Sequence, residues 1–170
     1  LKRRGVNWKL GREARSDLDG FDILLRSPGW PLFDPAIAKA VSLGVAVTSP
    51  MQLFFDLCPS RNIIGVTGTK GKGTTAALIQ HIFQAARRRA WLGGNIGVAP
   101  FEFIARIKIT DWVILELSSF QLEDLAAGPR GAVITNFTPE HLAPADPLNP
   151  NYHRSLREYW QAKTRLFKGQ

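Results

Sequence analysis

Asn62-Ile63-Ile64-Gly65-Val66-Thr67-Gly68-Thr69-Lys70-Gly71-Lys72-Gly73-Thr74-Thr75 is the stretch whose reading decides the fold. An apolar, β-branched run enters a glycine-rich turn, and the turn ends on a lysine followed by hydroxyls. Glycines let backbone N–H groups converge on phosphate oxygens with no Cβ in the way, and the lysine sets a point charge on them. Behind the turn, Thr75 to Phe83 reads as a helix whose positive dipole end faces the same anion. Residues Gly68, Thr69, Lys70, Gly71, Lys72, Gly73, Thr74 and Thr75 are therefore the candidate grip on a nucleoside triphosphate. The usual phosphate-loop pattern wants Gly where this chain has Val66, so the turn is the shorter Gly-Thr-x-Gly-Lys variant. A functionless surface turn is the alternative, and the strand before and helix after it argue against that.

Outward from this loop, the chain repeats one grammar. Phe21 to Arg26 reads as a strand, Ser27-Pro28-Gly29 as a turn, and Asp34-Pro35 as the capped start of a helix that Gly44 ends. Val45-Ala46-Val47 is a second strand, and Ser49-Pro50 opens a helix through Leu57. After a boundary at Pro59-Ser60-Arg61 come the loop strand, a glycine stretch from Trp91 to Gly97, and strands at Asp111–Leu117 and Gly131–Asn136. Continuous apolar strands alternating with helices belong to covered parallel sheets. The expectation is an α/β chain. Residues 61–170 form part of a parallel-sheet P-loop nucleotide-binding domain, preceded over 1–60 by part of a smaller Rossmann-like α/β domain.

Composition narrows the classes. Hydrophobic content of 45% and aromatic content of 10% are globular values. No apolar run reaches the roughly 18 residues of a membrane span. The lone Cys58 excludes a disulfide framework and a cysteine zinc site, so a reducing cytoplasm is expected. A net charge of +8 raises nucleic acid as a partner, but the basic residues are scattered along the sequence. Arg87-Arg88-Arg89, the densest run, reads as a solvated helix end that offsets the dipole. Neither nucleic acid nor membrane is expected as a partner, and a monomer is. Leu1 in place of a methionine, and an end at Gln170 directly after a helical pattern, read as a piece of a longer protein.

Four polar groups stand out against their apolar surroundings. Glu116 ends an otherwise apolar strand, at the sheet edge where α/β proteins bind ligands, and a carboxylate there suits the magnesium of a bound nucleotide. A structural ion pair is its alternative reading. Asn136 and His141 follow the next strand at the same edge. On the last helix, Leu156, Tyr159, Trp160, Lys163 and Phe167 share one face, with Lys163 inside the apolar stripe. Position alone favours a stem that snorkels to water, over a buried amine of lowered pKa.

Five stretches together resemble the Mur ligases. They are Val66 to Lys72, Gly94-Asn95-Ile96-Gly97, Glu116-Leu117-Ser118-Ser119-Phe120-Gln121-Leu122, Asn136-Phe137-Thr138-Pro139-Glu140-His141-Leu142, and Tyr159-Trp160-Gln161-Ala162-Lys163. Order and spacing are most similar to the members that add D-glutamate to UDP-N-acetylmuramoyl-L-alanine, through an acyl phosphate, in peptidoglycan precursor synthesis. The resemblance implies ATP and Mg2+ as cofactors, with UDP-N-acetylmuramoyl-L-alanine and D-glutamate as substrates. It implies catalytic roles for Lys72, Lys163 and His141, and magnesium ligation by Thr74 (or Thr75), Glu116, His141 and a carbamylated Lys163. It also implies substrate contacts by Ser27, Pro28, Gly29, Asn95 and Ser118.

Two departures stand out. Gly73 follows Lys72 where a Ser or Thr is usual, which resembles folylpolyglutamate synthase. After His141-Leu142 a proline-rich loop intervenes before His153, as though inserted. The alternatives are therefore a folylpolyglutamate synthase-like ligase and a non-catalytic nucleotide-binding module. The family's C-terminal domain, and the start of its N-terminal one, lie outside this sequence, so turnover is not expected from these residues alone.

Overall fold

A computed structural model describes residues 18–144 and 150–169. Its smaller sheet pairs β1 (Ile23–Leu25) with β2 (Ala46–Thr48) in parallel, Ile23 opposite Ala46. Between them runs α1 (Pro35–Ser42), begun where Asp34 accepts from the Ala36 amide at 2.9 Å and ended by Gly44 at φ +90°. Helix α2 (Pro50–Leu57) starts the same way, with Ser49 Oγ accepting from the Gln52 amide at 3.1 Å. A Pro at the first helical position gives up no hydrogen bond, which is why both helices begin there.

The larger sheet contains β3 (Ile63–Thr67), β4 (Ala90–Gly94), β5 (Trp112–Glu116) and β6 (Gly131–Ile134), all parallel, in the order β4-β5-β3-β6. β5 is central and buried along Val113–Glu116, as its unbroken apolar run requires. One face packs Phe54, Val113, Leu115, Leu122 and Leu166 together, and the other packs Val66 and Ile114 against Ala76 of α3 (Lys72–Ala85). Gly65 is glycine because a Cβ there would lie 2.5 Å from Leu166 Cδ1. The remaining helices are α4 (Pro100–Phe103), α5 (Ser119–Leu122) and α6 (Leu156–Thr164). No helix among the described residues is long and apolar enough to cross a membrane.

The sequence expectations need adjustment at several places. α3 begins at Lys72, earlier than Thr75, because Gly71 at φ +78° serves as its N-cap. It ends at Ala85, so Arg87-Arg88-Arg89 form the turn into β4 and not the helix end. The expected apolar stripe on the last helix is rotated. Leu156, Trp160 and Phe167 are each more than 40% exposed, while Tyr159, Ala162, Lys163 and Leu166 face inward. The middle of the proline-rich loop, 145–149, lies outside the described residues.

Candidate functional site

Parallel pairing brings the carboxyl ends of three strands side by side. Val66 of β3 lies opposite Glu116 of β5, and Thr67 opposite Ile134 of β6. The chain leaves β3 through Gly68 at φ +146°, where a Cβ would sit 2.0 Å from Thr135 Oγ1, so only glycine makes this turn. Asn136, just past β6, grips the loop in two ways. Its Oδ1 accepts from the Lys70 amide and its Nδ2 donates to the Lys70 carbonyl, both at 2.9 Å. Thr135 Oγ1 adds a bond to the same carbonyl at 2.6 Å, and the Thr69 amide donates to Asn136 O at 3.1 Å. Asn136 thus holds the loop in shape; its side chain is spent on Lys70.

The charged groups meet beneath this loop. Lys72 Nζ donates to Thr69 O at 3.0 Å and lies 3.9 Å from Glu116 Oε1. Glu116 is 1% exposed and its Oε2 has no hydrogen-bond partner. Burial pushes its carboxyl pKa up, against Lys72, Asn95 and Lys163, which pull it down. Lys163 does not snorkel. At 1% exposure its Nζ donates to Gly68 O at 2.8 Å and lies 4.6 Å from the Tyr159 ring centre. Burial, helped by the Lys72 charge, lowers its pKa to about 8. The α6 face explains this: Tyr159 hydrogen-bonds Thr69 Oγ1 at 3.2 Å, which seats the helix against the loop and turns Lys163 inward.

A cavity of about 270 Å³ opens in front of these groups, and Gly68, Lys72, Asn95, Ser118, His141 and Lys163 line it together with Pro28 and Gly29. Eight of the residues singled out in the sequence therefore share one space. His141 takes φ +59°, with Nε2 3.5 Å from Glu140 Oε2, and burial lowers its pKa, which favours the neutral imidazole. Other candidates sit apart or are occupied. Ser27 Oγ accepts from Gly29 N within its own turn at 3.4 Å, and Lys70 reaches Glu140 at 3.1 Å. The Thr69 hydroxyl bonds Thr138 O and Tyr159, and of the cavity-lining residues Ser118 has its Oγ engaged in capping α5, accepting from Gln121 N at 3.2 Å. Thr74 is exposed on the first turn of α3 and Thr75 half-buried beside it.

The orphaned Glu116 Oε2 tests the fit of a divalent cation. It is a hard oxygen donor with no hydrogen-bond partner, beside the glycine-rich loop, and Mg2+ favours one or two carboxylates plus phosphate oxygens. No cluster of three His, Cys, Asp or Glu exists among the described residues, so a cation here needs the phosphate to complete its shell.

Sequence reasoning did not find two buried polar groups. Arg26, fully buried, reaches Asp124 at 2.6 Å and Glu123 at 3.3 Å, and it also donates to the Trp30 carbonyl; this ties the smaller sheet to the segment after β5. His153 stacks on Phe120 and its Nε2 lies 2.8 Å from the Ser119 hydroxyl; burial lowers its pKa to about 4, so it is neutral. No spacing rule links partners 34 to 98 residues apart.

Known proteins similar to this chain fall in one family. The family model described as the Mur ligase middle domain matches residues 66–170. Proteins named UDP-N-acetylmuramoylalanine--D-glutamate ligase are similar along all 170 residues. The one from Acetivibrio thermocellus is 43% identical, with 34% of its length covered. Those from Ruminiclostridium cellulolyticum and Clostridium kluyveri are 42% and 39% identical, each with 35% covered. The chain thus spans about a third of the length of these curated relatives. In fold, it resembles the crystal structure of UDP-N-acetylmuramate:L-alanyl-gamma-D-glutamyl-meso-diaminopimelate ligase from Neisseria meningitides. That match has a TM-score of 0.51 at 18% identity, over 92% of this chain and 52% of that one.

Proposed function

We propose, for a chain that belongs to the Mur ligase family, that it carries the nucleotide-binding centre of a ligase adding D-glutamate to UDP-N-acetylmuramoyl-L-alanine at the expense of ATP. The observation that carries this reading is the convergence of Gly68, Lys72, Asn95, His141 and Lys163, from separate stretches of sequence, on one cavity beside Glu116. Two domain pieces follow from the same reading: 1–60 from a UDP-substrate domain and 61–170 from the ATP domain. In support, the smaller and larger sheets share no strand.

The chemistry joins a carboxylate to an amine. The L-alanyl carboxylate takes the γ-phosphoryl group of ATP, ADP leaves, and the D-glutamate amine displaces phosphate from the acyl phosphate. Little of this requires covalent help, so the residues act by position and charge. With the Thr69 and Lys70 amides held by Asn136, the amides at the start of α3, from Gly71 to Thr74, supply the backbone donors, and Lys72 exchanges its Thr69 carbonyl for phosphate oxygens. Asn95 and Ser118 face the muramoyl substrate across the cavity. Glu116, with Thr74 or Thr75, His141 and Lys163, would hold magnesium, which when bound neutralises developing phosphate charge. With its pKa near 8, Lys163 is partly neutral around physiological pH, the form that adds carbon dioxide to become an oxygen donor.

ADP release by the full-length protein tests the reading. Release should require both UDP-N-acetylmuramoyl-L-alanine and D-glutamate. Release with a folate acceptor and L-glutamate instead would assign the folylpolyglutamate synthase-like alternative, and nucleotide binding with neither acceptor active would leave only a binding module.

A further inference from the structure

We propose that the amino-terminal edge of the larger sheet, opposite the cavity, is a docking surface for an anionic phospholipid bilayer. Basic residues that are scattered in sequence are gathered here by the topology. Because all four strands are parallel, the segment entering each one arrives at the same edge. Each segment brings exposed cations: Arg61 before β3, Arg87, Arg88 and Arg89 before β4, Arg106 and Lys108 before β5, and Arg130 before β6.

Direct contacts confirm that they are neighbours. Arg89 and Arg106 both lie over Trp91, at 4.7 and 5.1 Å, and Arg130 reaches Asn62 Oδ1 at 2.6 Å. With strands about 4.8 Å apart, four strands set these cations in a strip roughly 15 Å wide. Three described acids belong to the same segments: Asp56, Asp111, and Glu102, which is exposed on α4 four residues before Arg106. Asp111 is buried and taken by Trp91 Nε1, the Lys108 amide and Arg89, and Asp56 accepts from Gln52. Seven cations against three acids leave the strip positive.

Its apolar content separates a bilayer from a nucleic acid. Ile109, directly after Lys108, is 74% exposed, and Leu57, at the end of α2, is 58% exposed. Apolar tips among cations suit the headgroup–acyl boundary, where charge attracts and apolar side chains bury. Stacking platforms for bases are not offered. Trp91 is covered by Phe103 at 5.4 Å and by the two guanidinium groups, and Trp112 by Phe83 at 4.6 Å and by Arg130. The cavity opens at the carboxyl ends of the strands, so a docked molecule keeps it facing the solvent. The inference is independent of the ligase reading.

Vesicle co-sedimentation of the full-length protein is the test. Phosphatidylcholine vesicles containing about one-third phosphatidylglycerol should bind it, and phosphatidylcholine alone should not, with binding lost as salt rises. Each cation near the surface is worth about five-fold in partitioning, so Arg88→Glu with Lys108→Glu should weaken binding at least roughly 30-fold. Both residues are exposed, and an unchanged melting temperature and ATP affinity would show the variant to be folded. Ile109→Ser should weaken vesicle binding several-fold while leaving weak binding to duplex DNA unchanged. Equal binding to both vesicle types, or undiminished binding by the charge-reversed variant, overturns the proposal. Tighter binding to DNA than to vesicles at equal phosphate does so too, and reassigns the strip to nucleic acid.

Discussion

Asn136→Ala removes the bracket that shapes the glycine-rich loop, and its effect can be worked from the bonds present. Two hydrogen bonds to Lys70 are lost, each 2.9 Å long, while the Thr135 bond to the Lys70 carbonyl and the Thr69–Asn136 backbone bond remain. Lys70 is exposed, so its freed amide and carbonyl are taken up by water and no buried orphan results. The loss is therefore the net value of two ordinary bonds, about 1–3 kcal/mol together. It falls on the local ordering of the loop and not on global stability. A site that binds only in its ordered form loses apparent affinity in proportion to the ordered population, which bounds the loss at roughly 5- to 150-fold.

Calorimetric titration with a non-hydrolysable ATP analogue measures that loss. Hydrogen exchange at the Lys70 amide reports the loop directly and should quicken. Asn136→Asp keeps the acceptor for the Lys70 amide but sets a carboxylate against the Lys70 carbonyl and the incoming phosphates, so it should bind no better than Asn136→Ala. Wild-type affinity together with wild-type exchange in Asn136→Ala would refute the bracket.

Three further outcomes follow from the charged groups. Glu116→Gln should weaken nucleotide binding far more with magnesium than without it; equal losses in paired titrations would make Glu116 structural. The Lys163 pKa lies near 8 in the folded chain, below its usual 10.5, so the unfolded chain binds more protons between those values. Stability relative to Lys163→Met should therefore rise as pH climbs from about 8 to 10.5, and a flat difference in urea midpoints would contradict the burial. Arg26→Met leaves the Glu123 and Asp124 carboxylates facing each other without their cation and should lower the unfolding free energy by about 3–5 kcal/mol, read by urea denaturation.

Much of this was legible in the sequence because the signals are local. Asp34-Pro35 and Ser49-Pro50 mark helix starts by chemistry within four residues, and the apolar run into Gly68 marks a strand and a turn. Parallel strands then carry Glu116 and His141 to the loop as a consequence of topology. Orientation was not legible where it depends on tertiary contact. The last helix turns Trp160 outward and Lys163 inward because Tyr159 bonds Thr69, 90 residues away, and helical spacing contains no such information. The gathering of arginines was hidden for the same reason: scattered positions become one edge only when all four strands run the same way.

Lys72→Ala tests the central claim most directly, because Lys72 stands between the loop carbonyl of Thr69 and the carboxylate of Glu116, facing the cavity. ATP titrated into the wild-type protein should bind, and titrated into Lys72→Ala it should give no measurable binding while the circular dichroism spectrum stays unchanged. An unaltered ATP affinity in a folded Lys72→Ala protein would contradict the assignment of this loop as a nucleotide site.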